Sequence, residues 1–338
     1  MYVNMINIFK FLGRTNIGLS ENEQLKESTD YSFKNDYLKK EHSIGELQYR
    51  TGLIFYMDIL GCKALSLDSS EDGASLNKVK KIVEIFSEIE KQYEDKHWGK
   101  NYKMPFTYDG YTVDRHLGEA YIEVAMSLFS DSIIISYFPE STDRFVLWYE
   151  QMHQIFNDIC RTIYEFARNG IFLRGGMSYG KLYHCGSICY GSALFEAVRL
   201  EDEICYPTIA ISDSFRDRII EDMRSKEIDD FAPGYKNPYE LKVFADDFFS
   251  IFMDATVVKG KSKQMIDWLI AVFYYHPKAI DEIRMAIVEQ LEIDYKPSVK
   301  EKYIWLAKQF NHSLFGMKGL DLGDYLNAEI KLQEGVMV

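Results

Sequence analysis

Apolar positions in this chain fall into short blocks whose period switches between about two and about 3.6 residues. Residues 52–57, Gly-Leu-Ile-Phe-Tyr-Met, form an apolar and aromatic run of strand length that ends in Asp58 and turns at Gly61. From 75 to 97, Val79, Ile82, Val83, Phe86, Ile89 and Tyr93 recur on one face of a long amphipathic helix, with Ser75 as its expected N-cap. Residues 98–118 carry Gly, Pro and several tyrosines and read as an insertion loop. Residues 122–129 and 133–138 read as the strands of a hairpin with Ser130-Asp131-Ser132 at its tip. A second helix is expected over 143–168, stopped by Asn169-Gly170. A strand over 171–183, a helix over 192–203 and a strand over 208–212 follow. Beyond about 258 the pattern is helical throughout, at 262–275, 277–292 and 298–314.

Strand, helix, hairpin, helix, strand, helix, strand is a ferredoxin-like α+β order. The chain then divides into a polar N-terminal arm (1–50), a main domain (51–257) and a helical C-terminal extension (258–338). Its 338 residues suffice for a sizeable core. A net charge of −13 argues against a nucleic-acid partner, which needs a basic face. No apolar run reaches the length of a membrane span, so no membrane partner is expected; residues 268–275 read instead as a core helix. Residues 1–16 lack a signal-peptide pattern, and five cysteines without a framework spacing fit reduced thiols; the expected location is cytoplasmic.

Two aspartates, Asp58 and Asp131, close adjacent apolar strands beside small residues. Hard divalent cations take carboxylate oxygens, and small neighbours leave room for phosphates, so this pair suits two metal ions. The turn Leu60-Gly61-Cys62 can offer backbone N–H groups to phosphates. As ordinary structure, Asp58 would cap a turn and Asp131 would sit in an unremarked hairpin. His184-Cys185-x-x-x-Cys189 lacks the second ligand pair a closed zinc site needs. Lys259-Gly260-Lys261 has the look of a phosphate-contacting turn, though short basic turns are usually just solvated.

These segments resemble the class III nucleotidyl cyclases. The 55–61 strand end matches their Asp-Ile-x-Gly motif, and Asp131 their second aspartate at a hairpin tip. Leu173-Arg174-Gly175-Gly176-Met177-Ser178-Tyr179-Gly180 is similar to their Arg-x-Gly-Ile-x-x-Gly strand. Gly191 to Glu201 is similar to their Gly-Asp-x-Val-Asn-x-Ala-x-Arg-Leu-Glu helix. The resemblance implies a cyclase catalytic core over 51–257. Within it, the 3′-hydroxyl of a nucleoside triphosphate attacks the α-phosphorus and pyrophosphate leaves. It further implies two Mn²⁺ or Mg²⁺ ions on Asp58, Asp131 and the carbonyl of Ile59. Arg199 would reach across a homodimer interface to the transferring phosphoryl group. Read without the resemblance, Arg199 is an i,i+4 partner of Glu203 on a solvated helix face.

Where the family places a ribose-orienting Asn, this chain has Phe195, which could stack instead. Where it reads a purine, the chain has Ala125, Ser127 and Ile188, neither the adenine nor the guanine set; Cys189 lies one position from where a guanylate enzyme carries cysteine. Phe195, Ser127 and Ile188 are the candidates for the base and ribose pocket. The remaining details, including Lys302-Tyr303-Ile304-Trp305-Leu306-Ala307, resemble the pyrimidine cyclases of bacterial Pycsar anti-phage systems. That resemblance implies conversion of CTP or UTP to cyclic CMP or cyclic UMP, and a separate effector activated by the product. The alternatives are a purine cyclase with an atypical pocket and a non-catalytic, cyclase-like nucleotide-binding module.

Overall fold

The computed structural model describes residues 49–61, 73–93, 97–108, 111–225, 252–254, 264–316 and 330–331. Cys62, the Lys259-Gly260-Lys261 turn and nearly all of the N-terminal arm lie outside them. The 52–57 run forms the middle of β1 (Arg50–Ile59), which takes a central place in the sheet. Alternation divides its side chains between two faces: Leu53, Phe55, Met57 and Ile59 enter the main core, whereas Ile54 and Tyr56 join a smaller apolar cluster opposite. Asp58 has the parity of Ile54 and Tyr56 and so belongs to this second face.

Around β1 stand α1 (Gly73–Gln92), β2 (His97–Tyr108), β3 (Tyr111–Phe129), β4 (Ser132–Pro139), α2 (Phe145–Ala167), β5 (Leu173–Cys185), β6 (Ile188–Tyr190), α3 (Ser192–Glu203), β7 (Ile209–Ile211) and α4 (Asp213–Ser225). Then come β8 (Phe252–Asp254), β9 (Gln264–Ile266), α5 (Trp268–Tyr275), α6 (Ala279–Glu292) and α7 (Pro297–Gly316). The sheet runs β2-β3-β4-β1-β5-β7-β9-β8, with β6 paired to β5. β5 and β7 are parallel and joined through α3, while the other described pairings are antiparallel, which makes this a mixed sheet of α+β type. No described helix is long and apolar enough to cross a membrane.

Three expectations are corrected. Residues 98–118 are not a loop: β2 and the first half of β3 form a long hairpin, shifted in register between Tyr102 and Lys103. Lysines, Asn and Gly mask its period, and Pro105 is tolerated because β2 is an edge strand. The helix expected over 262–275 begins with strand β9, paired to β7, and only then becomes α5. Asp267 makes that switch by accepting the N–H of Ile270 as an N-cap. Finally, α1 starts before Ser75, so this residue lies within the helix, and Val83 of the expected stripe is exposed while Ile85 is buried. Helix α4 and strands β6 and β8 are additional elements.

The main-core side of the sheet carries α1, α2, α4, α5 and α6, whose apolar faces share one cluster with β1 and β5. On the other side α3 lies directly against backbone. A Cβ on Gly176 would stand 2.1 Å from the carbonyl oxygen of Ala197 and 2.8 Å from Cβ of Leu200. A Cβ on Gly180 would meet nothing nearer than 3.5 Å. Gly176→Ala should therefore destabilise the protein by about 3 kcal/mol, the upper end for an overpacked site, and Gly180→Ala by much less. Urea midpoints of the two variants check this; equal midpoints would mean that α3 is not seated so closely.

Candidate functional site

Asp58 stands at the end of β1, opposite Ser132 of β4 on one side and Arg174 of β5 on the other. The β3–β4 hairpin closes through Ser130 and Asp131, with Ser130 at φ 58°, the positive value that a tight two-residue loop demands. This loop is tied to β1: the Ile59 N–H donates to the Asp131 carbonyl at 3.0 Å. The two aspartates thus come to one end of the sheet, as their positions in sequence predict. Ile59 turns its side chain into the core, so only its backbone could face a ligand. Leu60 donates its N–H to the Phe172 carbonyl at 2.9 Å, which commits that amide to the fold rather than to a phosphate. Gly61 follows at φ 83°, with open space where a side chain would be.

Two further charged residues complete the cluster. Arg174 Nη2 lies 3.3 Å from Asp58 Oδ2 and 2.6 Å from Glu201 Oε1. Glu201 projects from the buried side of α3 and is 6% exposed at its side chain. Burial first, then Asp58, Asp202 and Asp131, push its carboxyl up to about 7, against the pull of Arg174. Beside them the Tyr56 hydroxyl and Ser132 Oγ are 2.9 Å apart. Burial, and then the charges of Asp58, Glu201 and Asp131, raise the Tyr56 phenol against its bond to Ser132. Three carboxylates therefore act on one hydroxyl, with one guanidinium between two of them.

Arg174 and Glu201 had no assigned role in the sequence. Their signals were an arginine inside an otherwise apolar strand and an acid on a helix whose neighbours are buried. Both signals depend on knowing that α3 crosses β5.

Arg199 is half exposed on the outer side of α3, ion-paired to Glu203 and 3.9 Å from Glu196, both on its own helix. The i,i+4 pairing anticipated from sequence is present. Phe195 is exposed as well and meets Tyr190 edge-on at 5.3 Å, with Tyr49 6.5 Å beyond Tyr190. Ile188 is also exposed.

Ser127 is differently placed. Past Leu182, β5 leaves β1 and its hairpin with β6 carries His184 over the sheet. Ser127 donates to the Gly186 carbonyl at 2.6 Å and lies 2.7 Å from His184 Nε2. A hydroxyl has one proton, so His184 Nε2–H donates to Ser127, and His184 Nδ1 accepts from Ser136 at 2.7 Å. Burial pushes the imidazole down to about 4, which keeps it neutral in this tautomer. Ser127 is therefore buried and its proton is spent within the fold. With both its nitrogens engaged, His184 is also no metal ligand beside Cys185 and Cys189.

The donor set at Asp58 and Asp131 consists of hard carboxylate oxygens, which fits Mg²⁺ or Mn²⁺. Among the described residues no group of three His, Cys, Asp or Glu side chains has metal-holding geometry. No protein-family model matches the chain, and no curated protein matches it in sequence.

Proposed function

We propose that this protein is a class III-type pyrimidine nucleotide cyclase, making cyclic CMP or cyclic UMP and pyrophosphate from CTP or UTP. The reading extends to second-messenger synthesis in anti-phage defence, with a separate effector as the receiver. The observation that carries it is the convergence of Asp58 and Asp131 at neighbouring strand ends, held by the Ile59–Asp131 bond. Asp58, Asp131 and the Ile59 carbonyl would hold two divalent ions, which acidify the 3′-hydroxyl and neutralise the leaving pyrophosphate.

The chain's own residues have distinct tasks. Arg174 anchors Asp58 through its Oδ2 and is itself anchored by Glu201, so the carboxylate has one orientation. The Tyr56–Ser132 bond fixes the neighbouring wall. Arg199 points away from its own site and would serve a partner's, where a guanidinium can gather charge on the equatorial phosphoryl oxygens.

Base choice rests on what is missing. Ser127 is committed to His184 and Gly186, and Ile188 offers no polar group, so neither supplies the donors and acceptors of a two-ring base. A one-ring base can be held by ribose and triphosphate contacts and by stacking on Phe195. CTP or UTP should therefore be turned over at least about tenfold faster than ATP or GTP, a difference of about 1.4 kcal/mol in the transition state. Purified protein incubated with Mn²⁺ and each of the four triphosphates, with products identified by mass, tests this. Faster cyclic AMP or cyclic GMP formation would replace the pyrimidine reading with a purine one, and no product at all would remove the enzyme.

A further inference from the structure

We infer that Lys302, on α7 of the C-terminal extension, is a polyphosphate-binding residue of the Asp58 site. The inference rests on the cyclase reading for the identity of the ligand but not for the location of the lysine.

Helix α7 is fastened beside the site at two points. Tyr303 packs its ring edge-on against Phe172 at 5.9 Å, and Phe172 is the residue whose carbonyl receives Leu60. Trp305 stacks on Tyr206 at 4.8 Å and 15°, just past the end of α3, and joins the cluster of Leu200, Ile204, Ala210 and Met265. Lys302 lies three residues before Trp305 and so shares its face of the helix. That face borders Arg174, whose Nη1 lies 3.5 Å from the carbonyl of Ile204 in the same cluster; burial first, then the Arg174 charge, makes the Lys302 ammonium easier to deprotonate, while Cys205 and Glu201 oppose the shift.

A partly buried ammonium beside a guanidinium is costly unless an anion lies between them. Arg174 already sits 2.6 Å from Glu201, and among the described residues the Lys302 ammonium makes no hydrogen bond or ion pair. Three donors on a flexible stem, on the side of Arg174 where that guanidinium also holds Asp58, suit the oxygens of a polyphosphate chain. Charge balance agrees. The apo cluster of Asp58, Asp131 and Glu201 against Arg174 and Lys302 is near neutral. Two divalent cations would make it strongly positive, and a triphosphate would offset that excess.

The test is calorimetric binding of inorganic tripolyphosphate in the presence of Mg²⁺, which needs no turnover. Lys302→Met should weaken binding about tenfold or more, the value of a lost charge-assisted contact. Lys302→Arg should stay within about threefold of wild type, and Lys308→Met, an exposed change on the same helix, should have no effect. Unchanged melting temperatures exclude a folding cause, and binding by Lys302→Arg keeps the test valid if Lys302→Met proves unstable. Equal affinity of wild type and Lys302→Met would overturn the inference and leave the cyclase reading untouched. Loss of tripolyphosphate binding in Lys302→Met, together with no cyclic product from any triphosphate, would retain the polyphosphate site and sink the cyclase. A wild-type protein that binds no tripolyphosphate would overturn the inference outright.

Discussion

Asp58→Ala and Asp131→Ala proteins are expected to lose cyclisation by a thousandfold or more while remaining folded. Each removes a carboxylate from the place where two divalent ions would supply several kcal/mol of transition-state stabilisation, and about 4 kcal/mol corresponds to about a thousandfold. The fold should survive because Asp58 stands among like charges. Its removal relieves Glu201, and Arg174 keeps its 2.6 Å partner in Glu201. Melting temperatures should stay within about 3 °C of wild type, a shift worth about 2 kcal/mol in a chain of this size. Added Mn²⁺ should raise the melting temperature of wild type and not of either variant, because a ligand stabilises only the state that binds it. An Asp58→Ala protein with full activity, or with the same Mn²⁺ stabilisation as wild type, would remove the two-metal site.

The second large effect concerns Arg199. Its side chain is half exposed and its described ion pairs are with Glu196 and Glu203 of its own helix, whereas Glu201, two residues on, faces Asp58. One helix cannot turn both residues into the same pocket, so Arg199 would act on a second protomer. Arg199→Ala should fall by about a thousandfold or more, the range for an arginine acting in trans on a phosphoryl group. Equal amounts of Arg199→Ala and Asp58→Ala, each inactive alone, should together recover about one quarter of wild-type activity. After free exchange half of the dimers are mixed, and each mixed dimer of a two-fold assembly has one whole site. No recovery after verified subunit exchange would place Arg199 outside catalysis or within its own protomer's site.

Local pattern was enough wherever a segment's surroundings are uniform. The 52–57 run is apolar on both sides because β1 is covered on both faces, and Asp58 is where the smaller cluster on the second face stops. Helix α3 matched its expected span to the residue, since Gly191 before it and Ile204 after it leave helical geometry sharply. The pairing of Asp58 with Asp131 was legible for a similar reason: a hairpin tip and a neighbouring strand end must lie close once the strands pair. Edge elements were harder. Residues 98–118 mix Gly, Pro, Lys and Asn among the aromatics and so show no clean period of two, and β9 is three residues long, too short to carry one against the helix that follows.

Pairing by residue type and position was therefore within reach of the sequence: apolar strands, their acidic ends, the glycines that admit α3. What only the tertiary structure decided is which side chains answer those acids across elements far apart in the chain. Arg174 and Glu201 meet because Gly176 lets α3 approach β5 within backbone contact. Ser127 is withdrawn from any ligand because the β5–β6 hairpin folds His184 onto it. Helix α7 arrives from the C-terminal part of the chain beside α3 because Trp305 stacks on Tyr206. Periodicity reports only which face of an element is covered, and these three outcomes depend on which element covers it.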